Sequence, residues 1–216
     1  MYMRPSFGMI TPGIKNLILA NVTVFLLQIF FGWLINPWVF GIVPSRMLGE
    51  FFIWQPVTYM FLHSPTGFGH IFFNMFALWM FGTELERTMG TKEFLRYYFL
   101  TGILAGVSIF VWNLFMGIDV PTIGASGAVF GILMAYAMFF PDRYIYLWFL
   151  FPIKAKYFAL LFGVLEFLML PSGDGISHIG HLGGMIAGFF YLRHNYRHWG
   201  IGQDFFRNFF KKKDLF

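Results

Sequence analysis

The chain has no cysteine among its 216 residues. Disulfides, thiol nucleophiles and Cys-ligated metals are therefore excluded, and cysteine usage is silent about redox compartment. Charge is scarce too: 12% of residues are Asp, Glu, Lys or Arg, where a soluble domain carries about 25%. There is also no polar linker that would divide the chain, so it reads as one domain over residues 1–216. The first apolar run is not followed by a small-residue cleavage site, and a cleavable signal peptide is not expected.

What is present is apolar. The sequence is 58% hydrophobic, with 32 Phe and 24 Gly. Water would solvate such a surface poorly, so lipid is the expected solvent, and frequent glycine suits helices packed closely in a membrane. A spanning helix needs roughly 20 mostly apolar residues. By that rule the spans fall near 14–35, 68–86, 94–116, 126–140, 152–170 and 177–192. The fold class expected is all-α, a six-helix membrane bundle with a core over 14–192 and a short basic tail over 193–216. The fourth span is short. Its ends are best kept from lipid by surrounding protein, which puts it at the centre.

Charge placement orients the bundle. With the N-terminus inside, 14 of the 15 basic residues fall on inside segments, and Arg46 alone lies outside. Short loops rich in Lys and Arg stay cytoplasmic. The chain is thus expected to be multi-pass in the plasma (inner) membrane with both termini cytoplasmic. Lys211, Lys212 and Lys213 read as an anchor facing anionic lipid headgroups, not as a nucleic-acid site. The long outside connection over 36–67 carries Trp38, Phe51, Phe52, Ile53 and Trp54 and is expected at headgroup depth.

Polar groups inside spans are expensive and point to function. They are few: His70, Asn74, Ser126, Glu166, His178 and His181. Three spans begin on the outer side, so His70, Asn74, Ser126 and His181 share one depth. Gly127, Gly131 and Ala135 form a ridge at spacing four on the fourth span. Gly180, Gly184 and Gly188 do so on the sixth. Such ridges allow close helix approach, and His181 shares the face of Gly184 and Gly188. Ser126 opens the fourth span just before its ridge. A hydroxyl beside an imidazole is the minimal arrangement for nucleophilic catalysis, so Ser126 and His181 are the catalytic candidates.

An oxyanion needs donors. Ser126 lies at a helix N-terminus, where backbone N–H groups are free. His70 and Asn74 lie at i and i+4 on one face. The oxyanion candidates are therefore His70, Asn74 and Ser126. No acid suggests itself for orienting His181: Asp119 and Asp174 are in loops, and no spacing argument ties Glu166 to His181. The simpler proposal is a Ser–His pair. Each residue also has a bland reading, Ser126 as a helix cap or packing residue, and His70 with Asn74 as an interhelical pair. Imidazoles at one level would also suit zinc, but there is no His-Glu-x-x-His helix, and neither metal nor cofactor is expected.

These residues resemble the rhomboid family of intramembrane serine proteases. Gly124-Ala125-Ser126-Gly127 is similar to its Gly-x-Ser-Gly motif. His181-Leu182-Gly183-Gly184 with Gly188 resembles the segment carrying the family's catalytic His. His70-Ile71-Phe72-Phe73-Asn74 matches its His-x-x-x-Asn. Gly82, Glu86 and Gly90 echo the end of that helix, and Trp54-Gln55-Pro56 with 58–63 looks like the bacterial first loop. The resemblance implies a six-helix core, a water-filled cavity open to the outer side, and a Ser–His dyad without an acid. It implies transmembrane protein substrates, cut in or near a transmembrane segment, in a lipid bilayer. Where some bacterial members carry Tyr, this chain has Phe130, whose ring can still pack on His181 without a hydroxyl. No counterpart of the cytoplasmic N-terminal domain of some members is expected, and the chain looks like a minimal core. An inactive relative would be expected to lack Ser or His. A transporter would need paired charges through both leaflets, and the inner halves of the spans are almost wholly apolar.

Overall fold

The structure, a computed structural model, describes residues 10–147 and 151–196. Helix α1 (Pro12–Phe30) leads into three short helices, α2 (Pro37–Phe40), α3 (Pro44–Gly49) and α4 (Gln55–Thr58), and a 3₁₀ turn at Tyr59–Phe61. Helix α5 (Phe68–Ala77) continues through a π-turn (Leu78–Gly82) into α6 (Thr83–Met89). Then come α7 (Thr91–Met116), α8 (Ser126–Phe139), an antiparallel hairpin of β1 (Tyr144–Leu147) and β2 (Phe151–Lys154), α9 (Ala155–Leu168) and α10 (His178–Asn195). Proline in the first turn starts α1 to α4, where its missing N–H would be unpaired anyway.

Among the described residues, two helices, α1 and α7, are long and apolar enough by themselves to cross a membrane, and α8 is a shorter apolar helix. Several expected bounds shift. The first helix stops at Phe30, not 35: Gly32 is a poor helix former, and Pro37 disfavours helical backbone at Asn36. The expected span over 152–170 starts later, because 151–154 pairs as a strand and the helix begins at Ala155. A short apolar run does not distinguish strand from helix by periodicity. Here Tyr144, Ile145 and Tyr146 favour extended backbone, and Pro152 is tolerated on an edge strand. The bundle is therefore helical with one added hairpin. Arg4 and the Lys211–Lys213 anchor lie outside the described residues.

Helix α8 packs most extensively on α10 and α7, and ten of its 14 residues are buried. That is the central position expected of a short helix. The glycine ridges explain the close approach. A β-carbon on Gly184 would fall 1.9 Å from the Gly127 carbonyl oxygen, and one on Gly188 3.2 Å from that of Gly131. Tyr97 Oη donates to the Gly131 carbonyl at 2.6 Å and ties α7 to α8. The outer helices expose large apolar groups such as Phe30, Phe73, Val111 and Phe167, a surface that lipid covers without penalty.

Two polar devices hold the connections. Gln55 is fully buried and accepts from Val43 N at 2.9 Å while its amide donates to the Trp38 and Val39 carbonyls. At the far end of the bundle, Glu86 accepts from Gly13 N at 2.8 Å, Ile14 N at 2.9 Å, Thr91 Oγ1 at 2.7 Å and the Thr11 hydroxyl. A carboxylate at the N-terminus of α1 satisfies its free N–H groups and complements the helix dipole.

Candidate active site

The chain reaches α8 through an anchored loop. Ile42 and Thr122 form an isolated bridge, and Gly124 N donates to the Tyr59 carbonyl at 2.9 Å. Ser45 N donates to Asp119 Oδ1 at 2.9 Å, and the Ser45 groups beside it hold the Asp119 carboxyl below its ordinary value. Gly124 has φ +132°, a backbone that L side chains rarely adopt. A β-carbon there would sit 2.8 Å from His70 Nε2 and 3.7 Å from Ser126 Oγ. The glycine thus keeps open a space that both groups border.

Ser126 is the first residue of α8, so backbone N–H groups of the first turn have no partner within the helix. Its Oγ lies 2.8 Å from His181 Nε2, across the α8–α10 contact. His181 is buried and stacks on Phe130, with ring centroids 4.2 Å apart and planes 6° from parallel. The stack fixes the plane of the imidazole, and the second nitrogen fixes its rotation.

That second nitrogen corrects an expectation. Spacing alone suggests no acid for His181, yet Glu166 Oε2 lies 2.8 Å from His181 Nδ1. The same oxygen is 2.6 Å from His178 Nδ1. His178 Nε2 in turn faces Asp174, 3.1 Å from Oδ2 and 3.2 Å from Oδ1, and Ser172 Oγ at 3.2 Å. The loop residue Asp174 has no hydrogen bond to His181, whose ring nitrogens face Glu166 and Ser126. It reaches His178 instead. The missed signal is one of level: Glu166 lies in the last turn of α9, and His178 and His181 lie in the first turn of α10. Antiparallel helices joined by a short loop bring those turns together.

His70 Nδ1 accepts from Ser64 N at 3.2 Å. The ring proton therefore sits on Nε2, the nitrogen beside Gly124. Asn74 Nδ2 donates to the His70 carbonyl at 2.8 Å, one turn back along α5, which leaves its second amide hydrogen. The site thus gathers a hydroxyl, an imidazole that can accept its proton, and N–H donors from a helix terminus and His70. Glu166, His178 and His181 place candidate ligand atoms within 4.8 Å of one another, close enough to hold a metal ion. Each of the three is already hydrogen-bonded within the cluster.

Residues 50–197 match the family model described as the rhomboid domain. The chain belongs to the rhomboid family. Among curated relatives, it is 34% identical over 158 residues to rhomboid protease GluP of Bacillus subtilis, covering 70% of this chain and 28% of that protein. It is 30% identical over 140 residues to YdcA of the same organism, covering 63% of this chain and 64% of that protein. Against the mitochondrial rhomboid protein 1 of Saccharomyces cerevisiae it is 31% identical over 130 residues, 57% of this chain and 37% of that protein. The chain thus spans less than two thirds of each of these relatives. As a rhomboid-family chain it is an integral membrane protein, in keeping with its apolar exposed helices.

Proposed function

We propose that this chain is an intramembrane serine protease that hydrolyses peptide bonds in or near transmembrane segments of membrane-protein substrates. The observation that carries this reading is the 2.8 Å approach of Ser126 Oγ to His181 Nε2, made by two glycine ridges in contact. The domain is a single membrane unit over 1–216 with a six-span core, termini on the cytoplasmic side and the site open to the outer side of the plasma membrane. The basic inside segments support that orientation.

The chemistry follows from the atoms present. His181 Nε2 takes the Ser126 proton as Oγ attacks the scissile carbonyl carbon. The negative charge that develops on the carbonyl oxygen is met by Ser126 N–H, His70 Nε2–H and the Asn74 amide. Collapse breaks the C–N bond, and the leaving amine takes the proton from His181. Water then attacks the acyl-serine, losing a proton to His181. Collapse breaks the acyl C–Oγ bond, Ser126 Oγ takes that proton back from His181, and the acid product leaves and ionises in water. Substrate enters past the loop over 120–125, between α5 and α9. A helix exposes no carbonyl to attack, so substrates must unwind locally, and small or helix-breaking residues near the cut favour cleavage.

The test is cleavage of a reporter transmembrane substrate by purified protein, wild type beside Ser126→Ala. Wild type should cleave, and the variant should lose about 10³-fold or more. Equal cleavage by the two would refute the reading.

A further inference from the structure

We propose that Glu166 is a positioning residue for His181, held in place by a His178–Asp174 pair, so that the Ser–His pair works as the front of a longer relay. The inference deepens the protease reading and rests on it. A carboxylate oxygen has no proton to give at neutral pH, so the nitrogen facing it carries the hydrogen. With Glu166 Oε2 at 2.8 Å, His181 Nδ1 is that nitrogen. Nε2 is then left as the acceptor that the Ser126 hydroxyl needs. Without the carboxylate, nothing else among the described contacts selects this tautomer.

His178 explains how a carboxylate is kept at this depth. It lies at i−3 from His181 on α10, so both rings project from one face. Each of its ring nitrogens faces a carboxylate, Nδ1 towards Glu166 and Nε2 towards Asp174. That geometry suits the doubly protonated ring, since only imidazolium can donate from both nitrogens. Asp174, in the loop, is held below its ordinary carboxyl value by the Ile176 N–H and by His178, and so is ionised. Two carboxylates and one imidazolium leave one negative charge over. That charge is cancelled when His181 takes the serine proton. The field is thus set before reaction, and it favours the protonated His181 of the transition state more than the neutral ring of the ground state.

The experiment compares wild type, Ser126→Ala, Glu166→Ala, Glu166→Gln and His178→Gln as full-length protein in detergent micelles. Steady-state kcat and KM are measured on the reporter substrate, with proton spectra of ¹⁵N-histidine-labelled protein in parallel. Glu166→Ala should lower kcat about 100-fold with KM little changed. Glu166→Gln keeps an acceptor but not the charge, and should fall between. A strongly downfield Nδ1 proton of His181 should be seen in wild type and in Ser126→Ala, and vanish in Glu166→Ala. His178→Gln should move that resonance and lower kcat about 10-fold. Unchanged kcat in Glu166→Ala, or a loss confined to KM, overturns the proposal. So does a downfield proton that survives Glu166→Ala. Wild type no more active than Ser126→Ala would defeat the protease reading alone. The proton spectra would still decide whether Glu166 holds His181.

Discussion

Two glutamates sit near opposite ends of the bundle and do different work. Glu86 is 2% exposed and gathers two backbone N–H groups and two threonine hydroxyls. Glu166 gathers two imidazoles with a single oxygen. Both are carboxylates deep in an apolar protein, where an unpaired charge is very costly. The difference lies in the donors. Amides and hydroxyls do not change protonation near neutral pH, so Glu86 is a permanent brace between α1, α6 and α7. Imidazoles do change, so Glu166 belongs to the part of the molecule that can move a proton. The same side chain is structural or chemical according to what it is bonded to.

That contrast breaks in the following ways. The largest effect expected is on Glu86→Ala, which leaves four donors without their acceptor. It should destabilise by about 3 kcal/mol or more, read as thermal unfolding in detergent. Glu166→Ala should shift the same transition by less than half as much while losing far more activity. Equal stability losses would erase the distinction.

Acid should loosen the site end through a third group. His63, in the connection before α5, is fully buried, and burial, then the neighbouring His70, lowers its pKa to about 4. The unfolded ring titrates near 6.5, so between these values the unfolded chain binds more protons. The stability held by neutral His63 is complete above about pH 6.5 and is lost as pH falls through about 4, a change of about 3 kcal/mol. Unfolding measured from pH 7 to 4 should show this slope, and His63→Leu should flatten it.

Gly13→Ala probes the brace more gently. A β-carbon there would lie 2.9 Å from Glu86 Oε1, so the carboxylate must give, at about 1–2 kcal/mol, with kcat little changed. Smallest of all should be Glu50→Gln, which removes the exposed Arg46–Glu50 pair. Such pairs contribute about 0–1 kcal/mol, and unfolding should barely move.

The sequence made some of this legible because helical spacing is fixed. Gly127, Gly131, Gly184 and Gly188 at intervals of four announce a close contact, and Ser126 and His181 flank it whatever the loops do. Glu166 was harder to place. Its bond to His181 depends on where α9 stops and how residues 169–177 turn, which no periodicity within one helix records. The hairpin was hidden for a related reason: Phe151–Lys154 is apolar enough to read as the start of a helix, and only its pairing with Tyr144–Leu147 makes it a strand. What local spacing dictates could be read, and what two segments decide together could not.

The central claim is that His181 activates Ser126. Its most direct measurement is labelling of the purified protein with a fluorophosphonate probe and mapping of the adduct by mass spectrometry. The account predicts an adduct on Ser126 in wild type, absent in Ser126→Ala and strongly reduced in His181→Ala. Labelling that persists in Ser126→Ala, or is indifferent to His181→Ala, would contradict it.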